Sequence, residues 1–343
     1  MLRNRRFAVS TAAVGVIMAV CLALSAICPA QAGEGWKPSR TVTIFCWSAA
    51  GGFTDLCNRA LAASFSEQFG VPFNVTNMIG GGGATAANHI WNLPRDGYSI
   101  LGASDGLHAM GVRGGFTQPN NVWDVMFLIS AKGAISVRED SPYKTFDDLL
   151  AAMKASTMKS GASQAGSVWM IKLAQVIKLV GTNLTILPFE GSNQTLVSLL
   201  AGEIDIALCG LAEQEDYIRA GKVRPLAMIE PEDFNLPQVG NIPSIAKWYP
   251  EFATMKQAMQ WGGIAFPVDT PKEILDAYHA AFQVAVNSKP VQDFAVPRNI
   301  AIVNVTGEDA KKLVAENDSV YAWTIFDAGL AVKSPEEFGI PRP

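Results

Sequence analysis

"TVTIFCWSAAGGFTDLCNRALAASFSEQFG", residues 41–70, decides the fold. Its first seven residues are apolar and β-branched, the composition of a buried strand. Leu56, Ala60, Leu61, Phe65 and Phe69 then recur at helical spacing, and Gly70 supplies the stop. The stretch thus predicts a strand, a glycine loop and a helix. A loop of this kind leaves backbone N–H groups aimed outward, with the positive end of the helix dipole behind them. The segment Ser48-Ala49-Ala50-Gly51-Gly52-Phe53-Thr54 is therefore a candidate anion site. Asp55 reads two ways: a first-turn acid complementing the dipole, or a partner for a ligand hydroxyl or ammonium.

The same grammar recurs along the chain. "PFNVTN" reads as a strand, and "GGGGATAANHIWNLPRDGYSILG" as a glycine run, a short helix, a turn at Asp96-Gly97 and a strand. Thr145 and Asp148 frame a capping box ahead of Phe146, Leu149, Leu150 and Met153. "SGASQAGS", residues 160–167, repeats the glycine-rich helix start before an apolar periodic run that closes at Gly181. "NLTILPFEG" predicts a strand, Ser192 a cap for the helix holding Leu196, Leu199 and Leu200, and Gly202 its end before the strand "EIDIALCG". "VRPLAMI", 223–229, reads as a further strand, Thr270-Pro271-Lys272-Glu273 opens a helix through Val286, and Thr306 to Asp309 open the last long helix. Alternating strands and helices with short connections predict an α/β fold with largely parallel sheets. Gly191-Ser192 is a third candidate loop of the same kind, and two such loops facing each other suffice to hold a small carboxylate without arginine.

The N-terminal region predicts export. Arg3, Arg5 and Arg6 precede an apolar run from Val14 to Ile27 and the small-residue site Ala30-Gln31-Ala32, with cleavage expected after Ala32. The run is shorter than the roughly 18–20 residues of a spanning helix. Ile27 before Cys28 does not fit a lipidation site. The rest is long enough for about two domains of ~150 residues. The full chain carries a formal charge of −4, and loss of the leader arginines makes it more acidic, which argues against a nucleic-acid partner. No second apolar run is long enough for stable membrane insertion.

Catalytic and metal motifs are sparse. The histidines are His89, His108 and His279, with no metal-ligand spacing around them, so neither a metal nor a cofactor is expected. No nucleoside-triphosphate loop is present. "GASQA", 161–165, resembles a nucleophile elbow but has Ala165 in place of the final glycine, leaving an exported serine hydrolase using Ser163 as the rival reading. Beyond the leader, Cys46, Cys57 and Cys209 form an odd set without C-x-x-C spacing and read as small buried hydrophobes, with a Cys46 to Cys57 disulfide left open.

A resemblance covers nearly the whole exported chain. "SAAGGFTDLCNRALAASFSEQFGVPFNVTNMIGGGGATAANHIWNLPRDGYSIL" resembles the N-terminal signature of the tripartite tricarboxylate transporter receptors, the Bug family of periplasmic solute-binding proteins. "SPYKTFDDLLAAMKA", "SGASQAGS", "PFEGSNQTLVSLLAGEIDIAL", "AGKVRPLAMI", "NIPSIAK" and "WGGIAFPVDTPKEILDAYHAAFQVAV" follow in order. The resemblance implies a periplasmic, non-enzymatic receptor, a two-lobed clamp with lobe one at 33–130 plus 230–343 and lobe two at 131–229. It implies a small organic carboxylate as ligand, gripped between the lobes by main-chain N–H groups and waters. Its membrane partner would be the subunits of a transporter or, alternatively, a sensor kinase.

Carried onto this sequence, the site is Ser48, Ala50, Gly51, Gly52, Phe53, Thr54 and Asp55 with Ser163, Gln164, Ala165, Gly166 and Ser167. Phe189, Gly191 and Asp205 would add to the wall of lobe two, while Ser104, Asp105 and Trp261 would line lobe one. Asp205 reads equally as a structural cap. The chain departs from the family pattern at Trp47-Ser48-Ala49-Ala50, where a proline and an aromatic are common, at Val168-Trp169, where a histidine is frequent, and in "IEPEDFNLPQVGN", which lacks the usual arginine. The ligand's identity is therefore not carried over. Phe53, Trp169 and Trp261 raise the case of an aromatic carboxylate, against plain packing roles for each.

Overall fold

The opening stretch folds as read: β1 (Val42–Cys46) buries Val42, Ile44 and Cys46, and the helix Phe53–Phe69 follows, closed by Gly70. The computed structural model describes residues 35–343 apart from 164, 165, 183, 190 and 238, and 37–343 fold as one unit. The expected leader and the candidate residues Gln164 and Ala165 lie outside the described residues.

The strands after β1 are β2 (Phe73–Asn77), β3 (Ser99–Ser104), β4 (Trp123–Ala131), β5 (Gly133–Arg138), β6 (Met158–Ser163), β7 (Leu184–Phe189), β8 (Ile206–Gly210), β9 (Val223–Met228), β10 (Phe234–Leu236), β11 (Gly240–Ile242), β12 (Gln260–Pro267) and β13 (Ala301–Val305). They form a six-stranded sheet in the order β13, β4, β12, β3, β1, β2, a five-stranded sheet in the order β7, β6, β8, β5, β9, and a β10 to β11 ladder. Each large sheet is flanked by helices and forms the centre of one lobe.

The sheets are mixed, which corrects the expectation of largely parallel pairing. β1 runs parallel to β2 and β3, but β12 is antiparallel to β3 and β4, and β13 to β4. In the second sheet β6 is parallel to β7 and β8, whereas β5 is antiparallel to β8 and β9. The reason is the passage of the chain between lobes. β4 leads into β5 through Lys132 alone, so β5 starts beside the end of β8, Gly133 opposite Gly210. β12 returns beside the end of β4, Gln260 opposite Ala131, and must run against it. The consequence is that β1, β3, β6 and β8 all finish near one place, where the carboxyl ends of strands in open α/β sheets build ligand sites.

Packing around that place is specified by a few polar anchors among buried apolar side chains. The capping box at Thr145 is present: Thr145 Oγ1 accepts from Asp148 N at 3.2 Å, and Asp148 Oδ2 from Thr145 N at 2.9 Å. It starts the helix Phe146–Ala155, whose Leu149 and Leu150 enter the core of the second lobe. In the first lobe Asn58 Nδ2 donates to Gly263 O at 2.9 Å, tying the helix Phe53–Phe69 to β12. Trp261 Nε1 donates to His108 Nε2 at 2.9 Å, so the proton of the neutral imidazole sits on Nδ1 and goes to Asp318 Oδ1, 2.6 Å away. This chain fastens the turn Asp105–Ala109 to the long helix Gly307–Asp327. Two caps differ from the sequence reading: Ser192 is the first helical residue with Gly191 ahead of it, and Pro271 precedes its helix. Cys46, Cys57 and Cys209 are buried free thiols, so the Cys46 to Cys57 bridge is not formed.

Candidate functional site

The ends of β1, β3, β6 and β8 open onto a cleft of about 590 Å³ between the two lobes. Ser48, Ala50, Gly51, Gly52, Phe53 and Thr54 line it after β1, and Ser104 and Asp105 at the end of β3. From the second lobe come Ser163, Gly166, Ser167 and Gly191. The structure therefore brings twelve of the sixteen described candidates together.

The first wall is an uncapped helix start. Gly51 turns the loop at φ 78°, Gly52 N donates to Ala49 O at 3.1 Å, and Gly52 precedes the helix Phe53–Phe69 without a side-chain cap. Its first N–H groups thus have no acceptor within the helix, and the dipole favours an anion in front of them. Asp55 supports this loop from beneath rather than lining the cleft. Its buried carboxylate accepts from Gly51 N at 2.8 Å, Arg59 Nε at 2.9 Å and Asn77 Nδ2 at 2.7 Å, and Asn77 Nδ2 also reaches Ser48 O at 2.9 Å. Burial pushes this carboxyl up, but the bonds from Arg59, Gly51 and Asn77 outweigh it and hold it below the usual range.

The second wall is already engaged, which corrects the picture of two equivalent anion loops. The helix Val168–Val180 has Ser167 as its cap, accepting from Met170 N, while Val168 N donates to Asp105 Oδ2 at 2.8 Å. Asp105 belongs to the first lobe, so a carboxylate of the protein sits where a ligand carboxylate was expected. Ser104 Oγ accepts from Trp47 Nε1 at 3.1 Å and Thr54 Oγ1 at 3.0 Å and bonds to Asp105. Burial raises the Asp105 carboxyl to about 6, against the opposing pull of the Val168 N–H, its own N–H and Ser104. A second tie between lobes runs from Asn299 Nδ2 to Glu215 Oε2 at 3.3 Å.

Three further candidates stand off the cleft. Trp261 is fully buried against Phe127 and His108, because on β12 it alternates with Gln260, and Gln260 takes the cleft side. Asp205 accepts from Lys159 N at 2.8 Å just before β8, at the end of the sheet remote from the cleft, so its structural alternative is the one observed. Phe189 packs its ring over Gly161 of β6 instead of pointing outward. Trp169, by contrast, does line the cleft. Ser163 lines it with Ser192 Oγ, 3.4 Å away, near its hydroxyl. The chain's histidines are engaged elsewhere, His108 as above, His279 with Asp124 and His89 against Phe45.

Several lining residues escaped the sequence reading, notably Arg113, Arg298, Glu213 and Gln260. Arg113 is half-buried, and burial lowers its pKa. Its guanidinium fits between Gly82 and Gly166; a Cβ on either would lie 2.5 or 3.1 Å from Nη1. An arginine inside a glycine-flanked "GVRGGF" was the available signal. Glu213 begins the helix Leu211–Arg219 and reads from sequence as an ordinary first-turn acid. Among the described residues no His, Cys, Asp and Glu cluster is fit to hold a metal, and no helix is long and apolar enough to cross a membrane.

Comparison with known proteins agrees with this architecture. Residues 57–329 match the model of the family described as "Tripartite tricarboxylate transporter family receptor". Protein BugT of Bordetella pertussis is 24% identical over 304 residues, 86% of this chain and 91% of that protein. The solved structure of R. palustris Rpa4515 with adipate is similar at TM-score 0.73 and 22% identity, covering 86% of this chain and 99% of that one. MatC from Rhodopseudomonas palustris with bound malate is similar at TM-score 0.73 and 23% identity, covering 84% and 99%.

Proposed function

Because the chain belongs to the tripartite tricarboxylate transporter receptor family, we propose that it is an exported solute-binding receptor, not an enzyme, that captures a small organic carboxylate between its lobes. One observation carries this reading: the uncapped start of the helix Phe53–Phe69 opens into the cleft, with Arg113 and Arg298 among the lining residues. The ligand carboxylate takes the N–H groups of the Gly51 to Thr54 turn, with Ser48, Ala50, Ser163, Gly166, Ser167 and Gly191 around it. Charge-assisted hydrogen bonds of this kind strengthen as closure removes water. The bound solutes of the two Rhodopseudomonas neighbours, adipate and malate, are in keeping with a carboxylate.

The lobes are taken as 33–130 with 230–343, and 131–229; the strands of the two large sheets fall on either side of these bounds to within a residue, whereas the β10 to β11 ladder, counted with lobe one, packs beside β9 of lobe two. The leader is removed after Ala32 and the receptor works in the periplasm, handing its ligand to the membrane subunits of a tripartite transporter. Thermal unfolding of the purified protein against mono-, di- and tricarboxylates tests the reading, since a ligand of the folded state raises the midpoint by mass action. A shift with one acid class is the expected result. Absence of any shift, with no copurified acid found by mass spectrometry of the denatured protein, overturns it.

A further inference from the structure

The cleft contains a carboxylate with one oxygen that the protein leaves without a hydrogen-bond partner. Glu213 lines it from the first turn of the helix Leu211–Arg219, and its Oε2 is shut off from solvent without a hydrogen-bond partner. The carboxylate is folded over Gly210 so closely that a Cβ there would lie 2.0 Å from Oε2. Glycine at 210 is thus what makes room for it. Burial, first of all, and the carboxylate of Asp105, another lining residue, push this carboxyl up, against the pull of its own N–H and the Ser192 hydroxyl. An acceptor left in this state carries a desolvation penalty that a donor from a ligand relieves.

The charge balance of the cleft points the same way. Its described lining residues include the carboxylates Asp105, Glu213 and Asp216 against the guanidiniums Arg113 and Arg298. A ligand that is anionic throughout gains at the Gly51 to Thr54 turn but meets like charge beside Glu213 and Asp105. A ligand with an N–H-bearing cation at a second position gains at both.

We infer that Glu213 is the cationic subsite of this cleft, and that the captured carboxylate also carries a protonated primary or secondary amine whose N–H bonds to the Glu213 carboxylate. This inference rests on the carboxylate reading of the cleft and narrows it. A quaternary ammonium supplies charge without a donor and does not complete the site.

The test is calorimetric titration of the purified protein with matched acids: succinate against aspartate, adipate against 2-aminoadipate, and 4-aminobutyrate against its N-trimethylated form. The amine-bearing, N–H-bearing member of at least one pair binds tenfold or more tightly than its mate, and Glu213→Gln collapses that ratio towards one. Equal or tighter binding of the amine-free members overturns the inference while leaving the carboxylate receptor standing. A preference that Glu213→Gln leaves unchanged also overturns it. Failure of every acid in both proteins removes the carboxylate reading itself, and the inference with it.

Discussion

Replacing Asp105 by Asn isolates the cost of holding a carboxylate at the junction of the lobes. Asp105 lies buried with Oδ2 on the Val168 N–H, and burial raises it from the ordinary 3.8 to about 6. A shift of about two units corresponds to ~3 kcal/mol of difference between its two protonation states. The sign follows from proton linkage. Between about pH 4 and pH 6 the folded protein holds the proton longer than the unfolded chain, so unfolding releases a proton. The contribution of Asp105 to stability is therefore full below the unfolded pKa and is lost as pH rises through about 6. Denaturant unfolding of the native protein and of Asp105→Asn, measured at intervals from pH 4 to pH 7.5, checks this. The difference between the two proteins should change by roughly 2–3 kcal/mol across that window and stay flat above it, the Asn variant gaining relative stability as pH rises. A difference independent of pH refutes the argument, because it means that Asp105 titrates alike in the folded and unfolded chains.

Two further substitutions test the first wall. Gly52→Val places its Cβ 3.2 Å from Ala49 O, at a residue whose φ of −76° any side chain adopts. The fold should persist with a cooperative transition while binding of the acid found in the unfolding panel drops at least tenfold; retained affinity would remove this loop from the site. Asp55→Asn exchanges an acceptor of three bonds for a group that must turn a donor towards Gly51, Arg59 or Asn77. A loss of about 1–3 kcal/mol in chemical unfolding is expected, together with weaker binding through a loosened turn.

How much of this was legible in the sequence varies with the range of the forces involved. The stretch 41–70 was legible throughout, because its strand is uniformly apolar, its helix has one periodic stripe, and its stop is a glycine. β6 was not: Ser160, Gly161 and Ser163 look like a loop, yet the strand is central and almost wholly buried, with Gly161 making room for Ile204, Phe189 and Thr195. The direction of β5 and β12 was equally hidden, since it follows from where the chain changes lobes and not from any local preference. At the site, the positions visible in advance were those whose function is carried by backbone at a helix start. Trp261 was misplaced by one residue of strand register, which sends it to the core and Gln260 to the cleft. Arg113 and Glu213 were missed because a charged side chain has the same appearance in a sequence whether it faces water or a cleft. What distinguishes them is the space left by glycines, at 82 and 166 for the guanidinium and at 210 for the carboxylate. In this chain glycine therefore has two functions: at 51 and 52 it offers backbone to the cleft, and at 82, 166 and 210 it admits the charged groups that give the cleft its two poles.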